Sequence, residues 1–76
     1  MAYSKLKTLA KGCTISLLAK DIQSDKKHIR IFLTNSENAQ ATVKCEEHIS
    51  DKLRKGMITV AQLMEFRYNP NTQMIQ

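Results

Sequence analysis

Apolar and polar residues alternate along three separate stretches of the chain, and this pattern predicts β-strands. The predicted strands cover residues 13–20, 28–34 and 41–45. In each one the apolar side chains fall on every second position, as in a strand that buries one face. The polar stretches at residues 23–27 and 35–40 predict turns between them.

The alternation stops between Glu46 and Gly56, where Ile49 and Leu53 have helical spacing. This spacing predicts a short helix with one apolar face. Acidic residues near its start and basic residues near its end complement the helix dipole. Gly56 suits the left-handed conformation that commonly follows a helix end.

Alternation resumes after the helix, and residues 57–68 are predicted to form a long fourth strand. Ile58 and Val60 are in phase with each other, whereas Leu63 is not. A strand that changes phase in this way is expected to contain a β-bulge, here near residues 61–62.

The two ends of the chain give weaker patterns. Residues 69–72 contain Pro70 and predict a turn, because proline cannot pair inside a central strand. Residues 73–76 are predicted to begin a fifth strand. Residues 1–11 carry three lysines, and their pattern leaves open a helical turn, a leading strand or a basic N-terminal arm.

The predicted order is strand, strand, strand, helix, strand, strand. It favours a mainly β fold, the five-stranded OB-fold, which is a small Greek-key β-barrel with the one short helix between strands three and four. Residues 1–76 would form this single domain, and the helix would close one end of the barrel. The alternative is an open antiparallel sheet with one packed helix.

A resemblance to a known family points the same way. The run Lys52-Leu53-Arg54-Lys55-Gly56, followed by Ile58 and Val60, resembles the junction of the helix and strand four in bacterial single-stranded DNA-binding proteins. With Phe66-Arg67-Tyr68-Asn69, the chain is also similar to small OB-fold single-strand binders of phages and mobile elements. The resemblance implies an OB-fold that binds single-stranded DNA in replication or recombination. The chain differs from the bacterial family in having no Trp.

The charge agrees with an anionic partner. A formal net charge of +5 on 76 residues favours nucleic acid first, although a soluble surface carries similar charges. The longest apolar run is too short to cross a bilayer, and the N-terminus lacks the order of a signal peptide. We therefore expect a cytoplasmic protein, in the host cytoplasm if it is phage-encoded.

No pattern of catalytic, cofactor-binding or metal-binding residues is found in the sequence. The two cysteines and two histidines have no zinc-site spacing, and the cysteines are expected to be buried thiols rather than a disulfide. The two glycines do not form a phosphate-binding loop. We therefore expect a protein that is not an enzyme.

The outward row of the second predicted strand is the best candidate for a binding surface. It combines His28, Arg30 and Phe32, so that cations can meet phosphate and a ring can stack on a base. Lysines on strands one and three and in the first loop extend this surface, as do residues beside the last loop. The predicted nucleic-acid-binding residues are Lys20, Lys26, Lys27, His28, Arg30, Phe32, Lys44, Arg67 and Tyr68. Phe32 and Tyr68 could instead pack in an interface or against the core.

The sequence thus predicts a protein that binds single-stranded DNA with little sequence preference, as a homodimer or a higher oligomer. Two alternatives remain. The same barrel could bind RNA, or the chain could be a small protein-binding module, such as a phage-encoded inhibitor, with Phe32, Met64 and Phe66 as its contact patch.

Overall fold

The computed structural model describes residues 4–76, which form a mixed six-stranded sheet curled into a half-barrel with four short helices. In chain order the elements are β1 (Ser4–Lys5), α1 (Leu6–Leu9), β2 (Thr14–Ser16), α2 (Ala19–Ile22), β3 (Arg30–Thr34), β4 (Gln40–Cys45), α3 (Glu47–Arg54), α4 (Val60–Leu63), β5 (Arg67–Asn69) and β6 (Met74–Ile75). This architecture is consistent with the predicted small barrel-like β fold.

The strands lie in the order β1-β5-β6-β4-β3-β2. All neighbours are antiparallel except β4 and β6, which pair in parallel at Lys44–Met74 and Cys45–Ile75. β1 and β2 are close in the sequence but lie at opposite ends of the sheet, because α1 separates them. The N-terminal segment therefore contributes to both edges of the half-barrel.

The core lies on the concave face of the sheet. Strand β3 has an alternating burial pattern, with Ile31 and Leu33 buried between half-buried neighbours. The buried core residues are Leu6, Ala10, Ile31, Leu33, Val43, Cys45, Ile49, Leu63 and Ile75. They come from six different strands and helices and from the turn after α1, so the sheet and the helices share one core.

The second and third predicted strands and the predicted helix are confirmed as β3, β4 and α3. Gly56 ends α3 as expected, with a φ of +69°. Its N–H donates to the Leu53 carbonyl at 3.1 Å, and the Met57 N–H donates to the Lys52 carbonyl at 2.9 Å. These are the two bonds of a Schellman motif, which satisfies carbonyls at the helix end.

The long fourth strand predicted for residues 57–68 is wrong. Residues 60–63 form α4 instead, and the strand β5 begins only at Arg67. A capping box starts the helix: Gln62 N–H donates to Thr59 Oγ1 at 3.2 Å, and Thr59 N–H donates to Gln62 Oε1 at 2.8 Å. The helical turn buries Leu63 completely, so no β-bulge is needed to bring it inward.

The first predicted strand is shorter than expected. β2 ends at Ser16, and the chain then turns into α2, where the Leu18 carbonyl accepts hydrogen bonds from the Asp21 and Ile22 N–H groups. Cys13, Ile15 and Leu17 pack against the core as predicted. Because the chain turns into α2, residues 17–20 do not continue the strand.

The remaining segments follow the expected outline. Residues 70–73 form a turn, and β6 is the predicted fifth strand. Of the alternatives for the N-terminus, the structure has a two-residue strand followed by a helical turn that buries Leu6, while residues 1–3 lie outside the described part. Both cysteines are free thiols, and burial raises the pKa of Cys45 to about 12. Across residues 4–76, every helix is too short to cross a membrane.

Ser50 connects α3 to the sheet and gives a stability prediction. Its buried hydroxyl accepts the Ile29 N–H at 2.9 Å and lies 3.4 Å from the Cys45 carbonyl, to which it donates. Ser50→Ala leaves the buried Ile29 N–H without this partner, so we expect a loss of about 1–3 kcal/mol in unfolding free energy. Denaturant unfolding measures it. Ser36→Ala, in an exposed turn, is the control, and equal losses in the two variants would contradict this role.

Candidate nucleic-acid interface

The convex face of β3 and its neighbours brings predicted binding residues together. Arg30 and Phe32 point away from the buried Ile31 and Leu33, as the pleat of a strand requires. Lys44 on β4 is the cross-strand partner of Arg30, and so lies on the same face. The strand register therefore joins two cations and one ring into one surface.

Short side chains flank Phe32 on both sides. Its cross-strand partners are Ser16 on β2 and Thr42 on β4, and both are exposed. Phe32 itself is only half-buried. Because neither neighbour is large, part of the ring remains open to a ligand.

Arg30 packs against this ring. Its Cζ lies 5.6 Å from the centroid of the Phe32 ring, within the range of a cation–π contact. About 33% of the Arg30 side chain is exposed. The guanidinium and the ring thus form one composite surface, which we call the Arg30–Phe32 pair.

Asp21 holds the other side of Arg30. Its Oδ1 accepts a hydrogen bond of 2.9 Å from Arg30 Nη2, although Asp21 is only 3% exposed. This hydrogen bond is the main reason why the pKa of Asp21 is lowered. Within residues 4–76, Asp21 Oδ2 and Arg30 Nε are buried and have no hydrogen-bond partner. The ion pair is therefore held by one hydrogen bond rather than by two.

The short helix α2 is fixed in place by contacts to its last residues. Arg54 of α3 donates from Nε to the Ile22 carbonyl at 3.2 Å and from Nη2 to the Asp21 carbonyl at 3.4 Å. Ser24 Oγ donates to the same Asp21 carbonyl at 2.9 Å. These contacts fix the backbone from which the Asp21 side chain extends.

Further positive charge lies around Asp21 and the Arg30–Phe32 pair. Lys20 and Lys26 are exposed, and both lie near enough to Asp21 to help lower its pKa. Lys27 is exposed in the same loop, and Lys44 is exposed on β4. Within the described part of the chain, none of these four lysines forms a salt bridge. Their charges are therefore available to an anionic ligand.

His28 does not belong to the outward row of the strand. β3 begins at Arg30, and His28 Nδ1 lies 2.9 Å from the Cys45 carbonyl. A carbonyl oxygen can only accept a hydrogen bond, so Nδ1 donates in this contact. His28 is thus a half-buried anchor beside the cluster, contrary to the expected row of His28, Arg30 and Phe32.

Arg67 and Tyr68 lie apart from this surface. Arg67 pairs with Lys5 at the β1–β5 edge, two strands away from Lys44. Tyr68 pairs with the buried Ile75 and packs against the core from the concave side. The structure therefore brings together six of the nine predicted residues, places His28 beside them as a half-buried anchor, and leaves Arg67 and Tyr68 elsewhere.

Tyr68 instead lines an open groove on the concave side. The groove has a volume of about 370 Å³ and lies between the first half of β4 and the β5–β6 hairpin. Its apolar wall includes Leu9, Cys13 and Val43, and Leu9 is 41% exposed. This groove is therefore a second candidate binding surface, distinct from the convex cationic face.

The sequence pattern missed Asp21 and Arg54 as parts of the site. No pattern in the sequence singles out Asp21, and Arg54 is one of the basic residues that the pattern assigns only to the dipole at the end of the predicted helix. The contact between Asp21 and Arg30 depends on α2, whose four residues are too few to give a periodic signal.

Comparisons of the chain with protein-family models, with curated proteins and with solved structures found no match. In residues 4–76, no group of three or more His, Cys, Asp or Glu side chains is arranged to hold a metal ion.

Proposed function

We propose that this chain is a non-enzymatic OB-fold protein that binds single-stranded DNA with little sequence preference. The observation that carries the proposal is the convex face on which Arg30, Phe32 and Lys44 share one surface with the lysines of the α2 region. This function suits the replication or recombination of phages and mobile elements, as the family resemblance implies.

The strand order supports the OB part of the proposal. β1 and β2 can be taken as two halves of one first strand, interrupted by α1, that pairs in both halves of the sheet. The order is then first, fourth, fifth, third, second, first, and α3 lies between the third and fourth strands. In OB-folds the face of strands two and three binds oligonucleotides. The corresponding strands here are β3 and β4.

The chemistry of the face supports single strands over duplex. Single-strand binders combine cations that follow the phosphates with aromatic rings on which bases stack. Phe32 can stack on an unpaired base but cannot reach one inside a duplex. A single OB domain covers about 4–16 nucleotides, so we also propose that the chain works as a homodimer or a higher oligomer.

A titration tests the proposal. We expect labelled poly-dT to bind at low salt, with an affinity that falls about 50-fold between 50 and 200 mM salt if about four phosphates are neutralised. Poly-rU and duplex DNA are the parallel arms. No binding of poly-dT at low salt would overturn the proposal, and tighter binding of poly-rU would make RNA the ligand.

The groove favours one alternative, a protein-binding module. Its wall of Leu9, Cys13, Val43 and Tyr68 suits an apolar segment of a partner better than a phosphate chain. The contact patch expected from sequence is not assembled in this way, because Met64 and Phe66 pack against the core. In that case the titration shows no binding to any nucleic acid, and the charge serves solubility.

A further inference from the structure

The Asp21–Arg30 ion pair has a feature that nucleic-acid binding by net charge alone leaves unexplained. Asp21 places a buried negative charge 2.9 Å from the cation that lies nearest the Phe32 ring. The free energy needed to remove such a pair from water is about as large as the free energy gained from the attraction between its charges. A buried ion pair is therefore weak evidence for a stabilising role. A purely electrostatic surface would also be stronger without this carboxylate.

We propose that Asp21 is a positioning residue that holds the Arg30 guanidinium against Phe32, so that the Arg30–Phe32 pair contacts a nucleobase while the nearby lysines contact phosphates. This inference rests on the proposed binding of single-stranded nucleic acid. It gives the cations of the face two different roles, whereas the sequence pattern assigned all of them to phosphate.

The charge balance supports a base as the ligand of Arg30. The lowered pKa of Asp21, caused mainly by its hydrogen bond to Arg30, keeps the carboxylate ionised near neutral pH. A phosphate at Arg30 would therefore meet the negative charge of Asp21 as well. A neutral base meets no such repulsion, and both guanidinium planes and aromatic rings are stacking surfaces for unpaired bases.

The geometry supports a positioning role. An arginine can pair with a carboxylate through two N–H groups, but here only the Nη2 bond is made. The Phe32 ring supplies a second constraint on the guanidinium. Arg54 and Ser24 in turn fix the backbone of Asp21. The orientation of Arg30 is therefore determined from two sides before any ligand binds.

The lysines are better placed for phosphate. Lys44 lies beside Arg30 on the next strand and is exposed. Within residues 4–76 the only carboxylates in salt bridges are Asp21 and Glu65, and Glu65 pairs with Lys5 and Lys7. Lys44 therefore keeps its full charge for a ligand.

A pair of asparagine variants tests the inference. Asp21→Asn and Asp25→Asn each raise the formal net charge of +5 by one, but Asp25 is exposed in the neighbouring loop. If charge alone mattered, both variants would bind poly-dT slightly more tightly. We expect Asp25→Asn to bind slightly more tightly. We expect the affinity of Asp21→Asn to fall by about fivefold or more, because stacking on one base is impaired. Equal or tighter binding by Asp21→Asn would overturn the inference.

Arg30→Lys provides a second measurement in case Asp21→Asn does not fold, which a thermal unfolding curve reveals. The variant keeps the charge but loses the planar guanidinium. We expect weaker binding with an unchanged slope of log affinity against log salt, whereas Lys44→Gln lowers the slope by about 0.7. Unaltered affinity of Arg30→Lys would overturn the inference while leaving the proposed function intact. Absence of poly-dT binding by the unmodified chain would overturn both.

Discussion

Phe32→Ala is expected to weaken the binding of poly-dT by about 5- to 140-fold, which corresponds to about 1–3 kcal/mol for the loss of stacking on one base. The ring lies on the convex face between the short side chains of Ser16 and Thr42. Its removal takes away the only aromatic surface of this face among the described residues. Fluorescence anisotropy of a labelled strand at several salt concentrations measures the effect, and the salt slope should not change.

Thr34→Ala is the matched control for Phe32. Thr34 is the next outward position of β3 and is also half-buried, but it has no ring. We expect its affinity to stay within about twofold of the unmodified chain, since surface substitutions of this kind usually have small effects. If Phe32→Ala retained full affinity, the convex face would not be the interface.

Leu63→Ala is expected to lower the free energy of unfolding by about 2–5 kcal/mol, the usual range for a fully buried leucine. Leu63 is 0% exposed at the end of α4. Small domains have only about 5–15 kcal/mol in total, so the variant should unfold at clearly lower denaturant concentration. Circular dichroism during urea unfolding measures the change.

Val60→Ala is the control within the same helix. Val60 is 41% exposed, and alanine has a higher helix propensity than valine. We expect its effect to stay below about 1 kcal/mol, since little buried surface is lost. Similar losses in both variants would show that residues 57–68 do not pack through α4.

The parts of the fold that the sequence predicted well are those with a sustained period. β3 alternates over five residues, and α3 repeats its apolar face over eight. The same alternation placed Phe32 and Arg30 on one face, because the pleat of a strand fixes which side chains share it. The alternation of the next strand likewise predicted that Lys44 lies on this face.

The prediction of a long fourth strand was wrong because apolar spacing alone cannot distinguish a strand from a single turn of helix. Ile58 and Val60 alternate, but Thr59 and Gln62 have the spacing of a capping box, which is a helix-start signal. This signal is present in the sequence. It is stronger evidence than the alternation of Ile58 and Val60, which Leu63 does not continue. The bonds between Thr59 and Gln62 then supply the local stabilisation of α4.

The Asp21 contact had no comparable signal. Asp21 and Arg30 are separated by a polar loop, and their contact arises because the chain leaves β2 early and forms α2. Arg54 takes part from a third element. Such contacts depend on how separate elements pack, and no local pattern encodes them.

The separation of β1 from β2 also bears on the order in which the chain assembles. β2, β3 and β4 pair with their neighbours in the sequence, so they close short loops at little entropic cost. β1 must instead find β5, pairing Ser4 with Tyr68 across nearly the whole chain. Contacts so distant in sequence form slowly. We therefore expect β2, β3 and β4 to pair first and β1 to join the half-barrel last.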